Sequence, residues 1–330
     1  MTNKLRVAII GARGIGKHHA KWYALCGCEV VAFVGVSRER LNETAGALRR
    51  LFGFDGRAYT DCVEMLRNER PEAVSICTPH SLHYEHTMLA LSYGAHVMCE
   101  KPVVWDEKLS HNELLLMARR MAEEAKARNL LLAVNTQYAA FAERLREFFA
   151  DLRGEWSTPK SFEMHMEAKS IGRDETGLGL WMDLSAHPIS VLLRLFPTHE
   201  LDESSFDVLE INGCIRVRFK LRCYSVDTEP IECQLTLRRI GEGESIQRFV
   251  RLNGLIVTIS GRDDERGIYR SCLTSFGTER IYEDFMHTSI RKFVEAIKGV
   301  GEPLCTADEG IKNLEWQLKI SRLIFGVDAL

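Results

Sequence analysis

The first part of the chain alternates short apolar runs with amphipathic stretches. Apolar runs at 5–10, 29–36, 73–77, 96–99 and 130–135 read as buried strands. Between them, helices are predicted at 15–26, 38–51, 84–93 and 109–128. Leu41, Ala45 and Leu48 carry the spacing of three and four that marks one helix face. Gly94 follows the third helix where a C-terminal cap is expected, and Pro79 and Pro102 stop the strands before them. Strict alternation of strand and helix predicts a doubly wound parallel sheet with helices on both faces.

After about residue 136 the pattern changes. A helix is predicted at 141–152, and the stretch 160–282 reads mostly as strands with period-two alternation. The clearest are 211–221, 232–239 and 247–259, with turn signals at Gly241-Glu242-Gly243 and Asn253-Gly254. One helix at 179–195 interrupts early, and helices at 284–298 and 307–325 close the chain. The expected fold class is therefore α/β over residues 1–135. An α+β domain with a large, mostly antiparallel open sheet is expected over 136–330.

Composition narrows the function classes. The chain has 330 residues, 45% hydrophobic and 27% charged, with net charge -3. That fits two ordinary globular domains and gives no basic stripe for nucleic acid. The apolar run after Arg6 is too short for a secretory core or a membrane span. None of the ten cysteines forms a Cys-x-x-Cys pair, so free thiols in a cytoplasmic protein are expected. His80, His83 and His86 sit three apart, but no acidic cluster accompanies them, and no metal site is expected.

The first candidate for chemistry is Gly11-Ala12-Arg13-Gly14-Ile15-Gly16. It links a strand to a helix, so free backbone N–H groups at the helix start would face a phosphate. Glycines let the backbone turn tightly and approach a pyrophosphate. Arg13 stands where the fingerprint usually has its middle glycine. The second strand ends Val36-Ser37-Arg38 without the carboxylate that commonly binds the ribose hydroxyls of NAD. A hydroxyl followed by a guanidinium would attract a 2′-phosphate, so NADP is expected ahead of NAD.

Three further stretches complete a resemblance. They are Thr78-Pro79 followed by His83, then Glu100-Lys101-Pro102, then the segment Gly177 to His187, which contains Trp181, Asp183 and His187. With the Gly-rich turn, in this order, the chain resembles the glucose–fructose oxidoreductase, inositol dehydrogenase and MocA (Gfo/Idh/MocA) family. The resemblance implies a Rossmann domain and a second domain for substrate and oligomerisation. It also implies hydride transfer between a nicotinamide and a secondary alcohol or ketone of a sugar, polyol or sugar nucleotide. Lys101, Asp183 and His187 are the expected catalytic residues. Gly11, Arg13, Gly14, Ile15, Gly16, Ser37, Arg38, Thr78, Pro79, His83, Glu100 and Lys101 are expected at the cofactor. Tyr138 and Trp181 are expected at the substrate with Lys101, Asp183 and His187, and His165 and Lys169 are further pocket candidates.

The chemistry of the residues agrees. Asp183 and His187 are four apart, so one helix would place both on one face. Imidazole titrates near neutrality and suits a base for the hydroxyl proton. A lysine at a strand's carboxyl end suits a developing alkoxide. The expected partners are a carbohydrate-like small molecule and a second copy of the chain, as a homodimer or homotetramer through the C-terminal sheet. Neither nucleic acid nor membrane is expected. The alternatives are a dinucleotide-binding sensor without chemistry, and a reductase of a non-sugar carbonyl or imine.

Overall fold

The computed structural model describes residues 4–170, 177–210, 213–223 and 228–326. The expected strand start at residue 211 lies outside them. The first part builds β1 (Arg6–Ile10), α1 (Gly16–Leu25), β2 (Glu29–Val34), α2 (Arg38–Phe52), β3 (Arg57–Tyr59), α3 (Cys62–Glu69) and β4 (Ala73–Ile76). It continues with α4 (His83–Ser92), β5 (His96–Glu100), α5 (His111–Ala127) and β6 (Leu132–Asn135). All ladders are parallel, in the order β3-β2-β1-β4-β5-β6, so the order reverses beside β1, where β4 pairs with it. That is the doubly wound dinucleotide-binding order. The central strands β1 and β4 are almost wholly buried apolar residues, as a sheet covered on both faces requires.

The second part runs α6 (Tyr138–Arg153), β7 (Ser161–Lys169), α7 (Leu178–Leu184), α8 (Ala186–Leu195), β8 (Glu200–Glu210), β9 (Cys214–Arg222) and β10 (Ile231–Ile240). Then come β11 (Arg248–Leu252), β12 (Leu255–Asp263), β13 (Tyr269–Ser275), β14 (Thr278–Glu283), α9 (Phe285–Ile297) and α10 (Ala307–Phe325). The eight strands are ordered β14-β13-β12-β11-β7-β10-β9-β8, antiparallel throughout except for the β7–β10 pair. Residues 247–259 form a hairpin, β11 and β12, turned at Asn253 (φ 47) and Gly254 (φ 83). Positive φ at both central residues is what Asn-Gly supplies in a tight hairpin.

Two expectations change. The helix expected at 179–195 is two helices, α7 and α8, separated at Ser185. Pro188 explains the break, because it offers no N–H to the carbonyl of Leu184 one turn earlier. Asp183 and His187 thus belong to successive helices.

The domain division also differs from a single cut after residue 135. The chain forms two compact units, Met1–Thr136 with Met286–Leu314, and Gln137–Phe285 with Glu315–Asp328. The return segment attaches to the first sheet at β6: Val134 N–H donates to the Cys305 carbonyl at 3.1 Å, and Ala133 bridges Thr306. A Cβ on Gly310 would lie 2.3 Å from Val134 Cγ2, so glycine is what lets α10 approach β6 there. Trp22 of α1 stacks on His287 of α9 at 4.7 Å. Among the described residues no helix is long and apolar enough to cross a membrane.

Candidate functional site

In the first unit, the Gly-rich turn leaves β1 and enters α1 at Gly16. Gly11 adopts φ +93, and a Cβ on it would stand 2.6 Å from the Cys77 carbonyl oxygen. A Cβ on Gly16 would stand 2.3 Å from the Gly11 carbonyl oxygen. Both positions therefore require glycine to let the turn close on β4. Gly14 meets nothing within 4 Å, so its surface opens outward as a cradle that a side chain would fill. The first turn of α1 carries no acidic residue to compete with a phosphate. Arg13, Gly14 and Ile15 are exposed at the turn. These features fit a dinucleotide pyrophosphate.

At the end of β2, Ser37 precedes α2 as its cap residue, with extended backbone and no side-chain cap bond. Arg38 beside it is exposed. Thr78 and Pro79 follow β4, and Thr78 Oγ1 lies 3.2 Å from His86 Nδ1. His83, expected to line the cofactor, is fully buried instead. Its Nδ1 lies 2.9 Å from the Pro102 carbonyl and its Nε2 3.0 Å from the Thr78 carbonyl. It ties the turns after β4 and β5 together from inside. Burial pushes its imidazole pKa down, against the opposing pull of those two carbonyls. His80 meets His83 edge-on at 5.5 Å, and no described group of His, Cys, Asp or Glu could hold a metal.

Lys101 follows β5, half-buried, and its bond to Pro102 is cis. Beneath it lies a cluster the sequence reading did not find. His19 of α1 is fully buried, with Nδ1 2.7 Å from Ser75 Oγ and Nε2 2.8 Å from Glu100 Oε1. Asn135 Nδ2 donates to the same carboxylate oxygen at 2.5 Å, and Lys101 N–H donates to Glu100 Oε2 at 3.3 Å. Burial alone would lower the His19 pKa, but the neighbouring Cys77 and Glu100 raise it well above its ordinary value. Burial would raise the Glu100 pKa, and His19, then Lys101 and Asn135, outweigh it and hold the carboxylate ionised. The sequence held one signal: an acidic residue directly after the apolar run Val97-Met98-Cys99 needs a buried partner.

In the second unit, Tyr138 opens α6 and is buried. Its ring lies 4.8 Å from the His187 ring, with Phe141 and Phe285 around it at 5.9 and 6.4 Å. Burial raises its hydroxyl pKa, partly offset by the positive charge of nearby Arg248. Asp183 is paired with Arg239 of β10, a partner 56 positions away. Trp181, expected at the substrate, is fully buried and donates its indole N–H to the Gln317 carbonyl at 2.9 Å. It is packing beneath α7, because an apolar ring of that size needs both a core and one acceptor. Lys169 is bound by the carbonyls of Gly241, Glu242 and Glu244, and His165 stacks on Phe249 at 5.1 Å.

Comparison with known proteins agrees with this architecture. Residues 5–136 match the oxidoreductase family with an NAD-binding Rossmann fold, Gfo/Idh/MocA. That match covers the first domain of this chain. A D-glucoside 3-dehydrogenase of Escherichia coli is 36% identical over 149 residues, 44% of this chain and 39% of that protein. A D-xylose 1-dehydrogenase (NADP(+)) of Hypocrea jecorina is 34% identical over 125 residues, 37% of this chain and 29% of that protein. The chain thus spans well under half the length of these two relatives. The solved UDP-N-acetylglucosamine 3-dehydrogenase of Acidithiobacillus ferrooxidans has the same fold, with TM-score 0.70, 19% identity, and coverage of 98% of this chain and 99% of that one.

Proposed function

We propose that the protein is an NADP- or NAD-dependent oxidoreductase acting on a secondary alcohol or ketone of a sugar, polyol or sugar nucleotide. The observation that carries the reading is the cradle at Gly11, Gly14 and Gly16, with Lys101 standing at the end of β5 in the same unit. The nicotinamide, when bound, supplies the hydride acceptor or donor. The backbone N–H groups at the start of α1 hold the pyrophosphate. Lys101 places its ammonium beside the alcohol oxygen and stabilises the charge that develops there. His187 takes the hydroxyl proton, and Asp183, paired with Arg239, orients a neighbouring substrate hydroxyl. Tyr138 supports the His187 ring. The names of the sugar dehydrogenases among the relatives support the substrate class.

NADP is the preferred cofactor in this reading. Ser37 spends no hydroxyl on capping α2, and exposed Arg38 stands next to it. Both, with the start of a 15-residue helix, suit a 2′-phosphate. The protein is further read as a cytoplasmic homodimer or homotetramer formed through the second sheet. Exposed Ile256 on β12 and Ile281 on β14 support that surface. A monomer-sized particle in light scattering would refute it.

The deciding experiment is a fluorescence titration with NADPH and NADH. A screen of sugars, inositols and sugar nucleotides at the nicotinamide absorbance band follows. Saturable binding with turnover of a polyol or sugar is expected. Binding with no turnover anywhere in the screen would favour a sensor, and no binding would end the reading.

A further inference from the structure

The first unit contains one cluster that the reaction outlined above does not use, and it links four separate elements. His19 belongs to α1, Ser75 to β4, Glu100 to β5 and Asn135 to β6. All four side chains are buried, and each makes a hydrogen bond within the cluster. Buried ions are costly unless paired and hydrogen-bonded, so an imidazole and a carboxylate placed together here need each other. Removing one partner would strand the other as an unpaired charge in the interior.

The position of the pair gives it a consequence beyond packing. Helix α1 is the element whose first turn faces the dinucleotide, and His19 lies one turn into it. The Glu100 carboxylate accepts His19 on one oxygen and the Lys101 N–H on the other. From the opposite side, His83 holds the Pro102 carbonyl. The residue between these two anchors is Lys101. We propose that His19 and Glu100 are a buried positioning pair that fixes the turn carrying Lys101 and ties it to the helix at the dinucleotide turn. Neither is a catalytic residue, since both act through Lys101. The inference rests on the proposed function only for what Lys101 does, and its test needs neither substrate nor turnover.

The test is competitive labelling of lysine amines in the full chain with a limiting amine-reactive reagent, read peptide by peptide in a mass spectrometer. The reactivity of Lys101 is referred to exposed Lys108. Glu100→Gln and His19→Ala are expected to change the Lys101 to Lys108 ratio by about tenfold, the scale of one lost charge-assisted hydrogen bond. His19→Gln, whose amide can still donate to the carboxylate, is expected to recover most of the wild-type ratio. Leu114→Ala, which opens a cavity at a buried residue of α5 that is not part of the cluster, controls for lost stability alone. It is expected to lower Tm and leave the ratio unchanged. An unchanged ratio in Glu100→Gln and His19→Ala overturns the proposal, as does an equal change in Leu114→Ala.

A second measurement needs no variant that must fold. In protein labelled with nitrogen-15 histidine, one ring is expected to keep protons on both nitrogens above neutral pH. A His19 ring without a proton on Nε2, the nitrogen facing Glu100, overturns the pair. Failure of these measurements leaves the NADPH titration untouched, and failure of that titration leaves them untouched.

Discussion

Replacing Gly16 by alanine tests the turn as a physical object. The added Cβ would lie 2.3 Å from the Gly11 carbonyl oxygen, 3.0 Å from the Gly11 carbonyl carbon and 3.1 Å from Cys77 Cβ. The first two are backbone atoms and cannot rotate away, so the turn must open by about an ångström to reach ordinary contact. Overpacking of this kind costs about 1–3 kcal/mol, and the better helix propensity of alanine returns up to about 1 kcal/mol. The net loss is about 0–3 kcal/mol, or a Tm lower by up to about 12 °C for a unit of this size. Opening the turn also moves the N–H groups that face the phosphate. Loss of one charged hydrogen bond there weakens NADPH by at least about tenfold. Gly14→Ala is the counterpart. Its Cβ meets nothing within 4 Å, so Tm is expected to stay put. The methyl group would occupy the space through which the pyrophosphate approaches, so NADPH binding is expected to weaken. Differential scanning calorimetry and fluorescence titration measure both quantities. A Gly16→Ala protein with wild-type Tm and NADPH affinity would refute the reasoning.

Arg38→Ala is expected to weaken NADPH by about 1.5–3 kcal/mol, the scale of a charged hydrogen bond, and NADH far less; equal losses in the two titrations would remove the 2′-phosphate from Arg38. Lys101→Met should abolish turnover in the absorbance assay while leaving NADPH binding within a few-fold, and unchanged turnover would take Lys101 out of the chemistry. Arg239→Met leaves Asp183 without its guanidinium, so the kcat of a substrate found in the screen should fall while NADPH affinity holds. A raised imidazole pKa supports the fold fully below its unfolded value near ~6.5, and that support fades as pH climbs through the folded value. A lowered carboxylate pKa supports it above ~4.3, and that support fades as pH falls through its folded value. The Tm gap between wild type and His19→Gln/Glu100→Gln, whose neighbours Ser75, Cys77 and Asn135 are retained, should therefore be larger near about pH 6 than about pH 9. A gap that widens in alkali would reverse the sign.

Much of the first unit was legible because its signals are local. A buried strand, a glycine turn and a helix lie within twenty residues of one another, and periodicity carries each piece. Strand β3 and helix α3 went unread because they are 3 and 8 residues long, too short for a period to register. In the second unit the alternation pointed to strands, while their order, with β7 and β10 parallel at the centre, is set by pairings far apart in sequence. The site divides in the same way. Lys101 stood out as a charge at a strand end. His19 and Glu100 are 81 positions apart and Asp183 and Arg239 are 56 apart, so only folding brings them together. His83 and Trp181 carry the motif but turn inward, because position in a motif does not fix which way a side chain points.

Hydride transfer in the proposed reaction needs both the dinucleotide and Lys101. The measurement is absorbance at the nicotinamide band with NADP or NAD and a panel of sugars, inositols and sugar nucleotides, for the wild-type protein and Lys101→Met side by side. A substrate-dependent change is expected with the wild type and none with Lys101→Met, although both bind the dinucleotide. Equal rates from the two proteins, or no dinucleotide binding by the wild type, would contradict it.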